Sequence, residues 1–261
     1  MARYLFLGFV YLNILLPVLF ILMYSLNEAR FFVLPVQGWS LKWYVQALTG
    51  GRFLEGLAVS LEVAIAATIL SAVTGTLASI GLVRGGIPGA NAISQLLLSP
   101  LIIPAIPLGL GLLILFTQVS VVTGYRFAGT YWSLVVGHAV IAMPWVMRLT
   151  IAGLQVTDRT LEEAAANLGA SPLRTYWHVT LPLLRPGIVA GSIFAFVTSF
   201  SEVNMSLFLV GPQMTTLPIS ILNYVGFRTD PSVAAISSVV ILITTGVILA
   251  ADRIVGLNNV Y

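Results

Sequence analysis

Six apolar stretches, each long enough to cross a hydrocarbon layer, dictate what this chain can become. A bilayer core of about 30 Å needs roughly 20 helical residues at about 1.5 Å of rise apiece. Stretches near that length occupy residues 4–26, 58–83, 92–116, 132–154, 188–210 and 233–255. Inside lipid no water is available to backbone amides, so each stretch must be helical, and the strand-period alternation that a barrel needs is absent. Composition agrees, with 58% hydrophobic and 8% charged residues, against about 25% charged in soluble domains. The predicted fold is all-α: one polytopic domain over residues 1–261 with six transmembrane helices.

Helix-breaking residues punctuate the stretches: Gly50-Gly51, Gly85-Gly86-Ile87-Pro88-Gly89, Gly124 and Gly226 through Pro231. The first stretch follows Arg3 and lacks a small-x-small cleavage site, which makes it a retained span rather than a secretion signal. With the N-terminus inside, Arg3, Arg84, Arg148, Arg159, Arg174, Arg185 and Arg253 fall on the cytoplasmic side, against Arg30, Lys42, Arg52, Arg126 and Arg228 outside. That excess agrees with the positive-inside rule. The external segment 38–57 carries Trp39, Trp43 and Tyr44, as an interfacial helix would.

Several chemistries are excluded. The net charge of +3 comes from scattered residues, so a nucleic-acid groove is not indicated, and with no Cys and no carboxylate cluster neither is a metal site. Lys42 is the only lysine and lies outside any Gly-rich loop, so the chain has no P-loop of its own. His138 lies mid-span and His178 in a loop, which suggests polar packing and a surface position rather than a nucleophile-base pair.

The loop 157–186 is the polar island of the chain. Thr160 followed by Glu163 matches a capping box, which predicts an amphipathic helix with Leu161, Ala164, Ala165 and Leu168 on one face and Gly169 at its end. Ser171-Pro172 then starts a second helix, predicted to end at Leu181-Pro182 before Pro186 opens the fifth span. Glu163-Ala164-Ala165, three residues, Gly169, nine residues, then Val179-Thr180-Leu181-Pro182 resembles the EAA loop of ABC-importer permeases, with Val179 at the usual Ile position. The resemblance extends to Trp43-Tyr44, Ser60-Leu61, Phe200-Ser201-Glu202-Val203, Gly211-Pro212 and Leu217-Pro218, which look like the second permease of spermidine/putrescine-type systems.

That resemblance implies a type I importer permease fold in a bacterial inner membrane, with both termini cytoplasmic. It implies that Glu162, Glu163, Ala164, Ala165, Leu168, Gly169, Ser171, Pro172, Leu181 and Pro182 couple the chain to an ATPase. It also implies partners: two ATP-binding subunits that hold ATP and Mg, a solute-binding protein outside, and a second permease, favouring a heterodimer over a homodimer. The chain itself would carry no cofactor. The implied cargo is a polyamine or related amine, with organic phosphonates and ferric iron as alternatives within the class.

Polar residues inside spans are costly, so their placement is informative. Ser192, Ser199, Glu202 and Ser206, with Ala195, recur at helical spacing and predict one polar face of span five that lines a substrate path. Glu62, near the outer end of span two, is the second acidic candidate, without a counterpart in the family pattern. Pro100, Pro104 and Pro107 should break or kink span three. The competing class is an ion-coupled secondary transporter using Glu202 and Glu62; such proteins often carry broken helices in both halves, whereas residues 233–255 contain no Pro.

Overall fold

The computed structural model describes residues 2–31, 35–212, 214–228 and 230–255. In chain order its helices are α1 (Ala2–Ser25), α2 (Lys42–Thr49), α3 (Arg52–Arg84), α4 (Ala90–Leu98), α5 (Ala105–Thr123), α6 (Tyr131–Val156), α7 (Thr160–Asn167), α8 (Pro172–Thr175), α9 (Leu181–Ser201), α10 (Ser206–Leu209), α11 (Leu217–Val225) and α12 (Ser232–Val255). A 3₁₀ turn covers Ser99–Leu101 and a π turn covers Tyr176–Thr180. Among the described residues there is no strand, only the isolated bridges Asn27–Trp39 and Gly211–Met214. Six helical segments are long and apolar enough to cross a membrane: Arg3–Ser25, Arg52–Arg84, Ala105–Thr123, Tyr131–Val156, Pro172–Phe200 and Ser232–Ala250.

Two of these depart from the expected stretches. Instead of one helix over 92–116, α4 ends at Leu98, the 3₁₀ turn follows, and α5 begins after Pro104, whose ψ of 139° is extended. Pro100 and Pro104 remove backbone donors, Pro100 inside the 3₁₀ turn and Pro104 with an extended backbone of its own, while Pro107 falls in the first turn of α5, where a missing N–H is harmless. The fifth span does not reach residue 210. Its helix stops at Ser201 and a separate turn, α10, follows.

The chain divides into two compact units, Met1–Val59 with Thr215–Gly246, and Ser60–Met214 with Val247–Tyr261. In the first, Ala47, Phe53, Leu217 and Ile236 form a core with Leu57 and Val239 packed on it. Gly56 lets α3 approach α11 closely, because a Cβ there would sit 3.1 Å from the Leu217 Cα. Trp43 is buried and its indole N–H donates to the Asn27 carbonyl at 2.7 Å, while Tyr44 and Ser25 hydroxyls bond at 2.7 Å. The aromatic segment thus splits its duties: Trp43 pins α2 to the turn after α1, and Trp39 stays exposed.

In the second unit α6 is the central helix. It starts with a reciprocal capping box, Ser133 N–H donating to Thr130 Oγ1 and Thr130 N–H to Ser133 Oγ. α9 crosses it at small residues, since Gly191 would place a Cβ 2.6 Å from the Val146 Cα and Gly187 one 2.8 Å from the Leu149 carbonyl. α3 packs on another side of α6, with Ser71 and Ser79 hydroxyls donating to the Ala139 and Met147 carbonyls at 3.3 and 3.2 Å. Without a hydrophobic drive between helices in lipid, such close small-residue contacts and interhelical hydrogen bonds hold spans together.

Candidate functional site

The polar loop begins where α6 ends at Thr157, whose extended ψ of 122° turns the chain. The expected capping box does not form. Asp158 Oδ1 accepts the Thr160 N–H at 2.9 Å, and this bond holds the exposed Asp158 carboxyl below its ordinary range. Asp therefore takes the capping role ahead of Thr160, and Glu163 is freed to meet Arg159 at 3.6 Å on the exposed surface.

The two neighbouring glutamates face different surroundings, as a rotation of about 100° per helical residue requires. The Glu163 side chain is 62% exposed, whereas that of Glu162 is 17% exposed and meets Arg84 at 3.4 Å. Glu162 Oε1 also accepts the Thr180 hydroxyl at 3.1 Å. Arg84, at the end of α3, donates in turn to the Leu154 and Thr157 carbonyls at 3.3 and 3.2 Å. Sequence spacing marked Glu162 but missed Arg84; an arginine closing a span beside a break was the available signal.

Gly169 has φ +84° and closes α7 with paired bonds, Gly169 N–H to the Ala166 carbonyl at 2.9 Å and Ala170 N–H to the Ala165 carbonyl at 3.0 Å. This is a Schellman ending, which needs a left-handed residue at that position. No residue of α7 is buried, and Leu161 and Leu168 are exposed, Leu168 at 90%. Ala164 is exposed and Ala165 half-buried.

Beyond the turn, the Ser171 hydroxyl caps α8 by accepting the Arg174 N–H at 3.4 Å, with Pro172 in the first turn. The second helix does not end at Leu181-Pro182 as expected. It runs on into α9 through the π turn, where Leu181 N–H donates to the Tyr176 carbonyl. The wider turn displaces the carbonyl that the Pro182 ring would otherwise strike, so a proline that reads as a stop is carried inside a continuous helix.

The predicted polar face of span five also takes another form. Ser192 bonds its own helix at the Ile188 carbonyl, 2.8 Å away, and Ala195 packs in the core with Ala142 and Val146. Glu202 lies past the end of α9 with ψ 126°, so Glu202 and Ser206 are not on one helix face with Ser199. Its carboxylate accepts the Met205 N–H at 2.8 Å and its carbonyl accepts the Ser206 hydroxyl at 3.3 Å. Ser199 and Ser206 nevertheless converge on His138, whose Nδ1 and Nε2 bond their hydroxyls at 2.8 Å each. His138 is buried and staples α9 and α10 to α6, a polar packing role. Glu62 stands apart on α3, exposed, with its carbonyl accepting the Tyr131 hydroxyl at 3.3 Å.

Six helices apolar and long enough to span a bilayer, crossing at small residues, with an exposed helix in the polar loop between them, define a polytopic α-helical membrane protein. Residues 71–258 match the model of the binding-protein-dependent transport system inner membrane component, and the chain belongs to that family. It is 31% identical over 91% of its length, and 84% of the relative's, to the putrescine transport system permease protein PotI of Escherichia coli (strain K12). With the spermidine/putrescine transport system permease protein PotC of the same strain it shares 27% identity over 95% and 92% of the two chains. Its fold matches a crystal structure of a bacterial ABC transporter involved in alginate import with TM-score 0.74, at 17% identity over 97% and 94% of the two chains. The chain is thus a multi-pass inner-membrane permease subunit of an ATP-driven, binding-protein-dependent importer, not an enzyme. ATP is bound by a separate ATPase, and the chain works with that subunit and a substrate-binding protein. Family membership sets aside the ion-coupled secondary transporter.

Proposed function

We propose that this chain, as a single permease domain, imports a polyamine, and that α7 is the helix its ATPase grips. The exposure of α7 carries the coupling reading: Glu163, Leu161 and Leu168 present charge and apolar surface outward from a helix with no buried residue. Large apolar side chains left exposed in a polar loop mark a protein contact. Ala164, at the middle of the α7 surface, allows close approach, Gly169 fixes the turn, and Ser171, Pro172, Leu181 and Pro182 shape the stem by which the motion enters span five. The termini face the cytosol, as the excess of arginines on that side supports. A second, homologous permease completes the pair as a heterodimer, beneath an external binding protein and above two ATPase subunits.

The amine cargo rests on the relatives PotI and PotC, named for putrescine and spermidine transport. Glu202, half-buried at the break in span five, supplies a carboxylate for an ammonium group, with Ser199, Ser206, Ser192 and Ala195 around the break as pathway candidates and Glu62 as a second acidic position. The test is uptake of radiolabelled putrescine by the reconstituted importer, with 2-aminoethylphosphonate and ferric citrate as competitors. Saturable, ATP-dependent uptake blocked by spermidine supports the assignment; transport of either competitor in place of putrescine refutes it. Glu202→Gln keeps an oxygen for the Met205 N–H while removing charge, so it should raise the concentration needed for half-maximal uptake. An unchanged value and rate would remove Glu202 from the path.

A further inference from the structure

The cytoplasmic ends of three spans meet at one ion pair. Arg84 ends α3, its guanidinium donates to the last carbonyls of α6, and it faces Glu162 of α7. The other Glu162 oxygen takes the hydroxyl of Thr180, in the π turn that leads into α9. Each Glu162 oxygen therefore serves a different element. We propose that Arg84 and Glu162 are positioning residues that transmit displacement of α7 to the spans, while Glu163 serves the outer contact; this rests on the reading that α7 is the helix the ATPase moves.

α7 has no buried residue; it packs on α8 and the π turn that follows, and its ion pair to α3 is the one between Glu162 and Arg84. A push on such a helix reaches the membrane through whatever side chains grip it from behind, and Glu162 is one turned that way with a charged partner. Both side chains are less than a fifth exposed, at 19% and 17%, so the pair is screened less than a surface pair. Removing one partner would leave the other charge part-buried and unpaired.

The pair is also able to tighten. Arg84 Nε stands 3.4 Å from Glu162 Oε2, within ion-pair range, yet it lacks the alignment of a hydrogen bond and finds no other acceptor. A cavity of about 480 Å³ lies elsewhere on the chain, but one of about 450 Å³ opens directly beside the pair, lined by Ile80, Arg84, Glu162, Pro172, Tyr176 and Thr180. The space lets α7 close on α3 and α9 without displacing packed side chains. A joint of this kind pulls α3, α6 and α9 together rather than one span alone.

The test uses the complete importer, reconstituted with its partner permease, ATPase and binding protein. Radiolabelled putrescine imported per ATP hydrolysed should fall about tenfold or more in Arg84→Ala and Glu162→Gln, with ATP hydrolysis unchanged, a coupling loss within the usual range for linked sites. Arg84→Lys, which keeps the charge but not the fork that reaches both carbonyls, should fall between. Single variants at the wild-type ratio, or hydrolysis and uptake falling in proportion, would each overturn the proposal. A wild-type importer that carries no putrescine would remove the substrate assignment alone. The joint is then read without substrate, from spin labels on Leu77→Cys and Asn167→Cys in this cysteine-free chain. Their separation should shorten on binding of an ATP analogue in wild type and fail to do so in Arg84→Ala; the same response in both would overturn the joint.

Discussion

Gly169 offers a measurable link between backbone conformation and transport. Its φ of +84° lies where L side chains are disfavoured, and a Cβ added there would meet nothing within 4 Å. Any penalty of substitution in this chain is thus conformational, about 1–2 kcal/mol for an ordinary residue in the left-handed region. Leaving that region would forfeit the two hydrogen bonds that close α7, worth about 1 kcal/mol each. The two costs are similar, so Gly169→Ala should retain the turn under strain and lower its population by roughly 5–30-fold at most. Gly169→Asn should lie close to wild type because Asn visits this region, and Gly169→Val should be worst because β-branching does not tolerate it. The assay is putrescine uptake per ATP hydrolysed in reconstituted importer, alongside the amount of inserted protein. An Asn variant as impaired as Val would refute the backbone argument in favour of direct contact at that position. Val behaving as wild type would remove the turn from the mechanism.

Gly191→Ala places a methyl against the Val146 backbone at the α6–α9 crossing and should cost about 1–3 kcal/mol, whereas Gly8→Ala, with nothing within 4 Å, should be neutral; thermal unfolding in detergent separates them, and equal behaviour would refute the close-packing argument. His138→Phe leaves the Ser199 and Ser206 hydroxyls without their imidazole partner, a loss of about 1–3 kcal/mol. The double variant with Ser199→Ala should lose less than the two single losses summed, and strict additivity would show that the pair does not act as a unit. At the loop between α11 and α12, burial opposes ionisation of Asp230, but bonds from the Tyr224 hydroxyl and Ser232, with the nearby Arg228, outweigh it and hold its pKa below the ordinary 3.8. Its stabilisation is present above that value and lost as pH falls through the lowered one. Burial and the Asp230 bond raise Tyr224 above 10.0, so its share is complete below pH 10 and lost as pH rises through the raised value. Protection of the Ser232 amide, its exchange rate set against an unstructured peptide at the same pH, should therefore fall below about pH 3.8 and above pH 10 in wild type, and Tyr224→Phe should remove the alkaline loss.

Length and hydropathy made the spans legible because lipid leaves the backbone a single solution, and that solution depends on no partner residue. The limits of the helices were harder wherever proline stood. Pro100 and Pro104 did break the third stretch, as their chemistry demands, but the break moved the spanning helix on to Ala105–Thr123. Pro182 did the opposite. It has the same missing N–H, yet the π turn before it absorbs the ring and the helix continues into α9. A sequence records the proline and not the turn geometry that decides between these outcomes. The Thr160–Glu163 box failed for a related reason: Asp158, two residues earlier, accepts the Thr160 N–H that the Glu163 carboxylate would take, and the Glu163 N–H goes to the Arg159 carbonyl instead of the Thr160 hydroxyl.

The polar residues of span five show where periodicity misleads. Spacings of seven, three and four put Ser192, Ser199, Glu202 and Ser206 on one face only if the helix is unbroken, and it ends at Ser201. Ser199 and Ser206 still point to one place, because His138 on α6 supplies a partner for each and holds the two pieces at a fixed spacing. Glu202 sits in the gap between them, with its backbone extended and its carboxylate on the amide of Met205. A carboxylate on a broken segment is oriented by local backbone bonds rather than by a helix face, so its direction follows any change in the break. Gly109 lets α5 approach that segment closely, since its Cβ would fall 2.9 Å from the Met205 Cα. Movement of α5 or α6 would therefore reorient Glu202 without unfolding a helix. If Glu202 holds the proposed ammonium group, a charge carried on such a break can change its facing for the loss of its carboxylate bond to the Met205 amide.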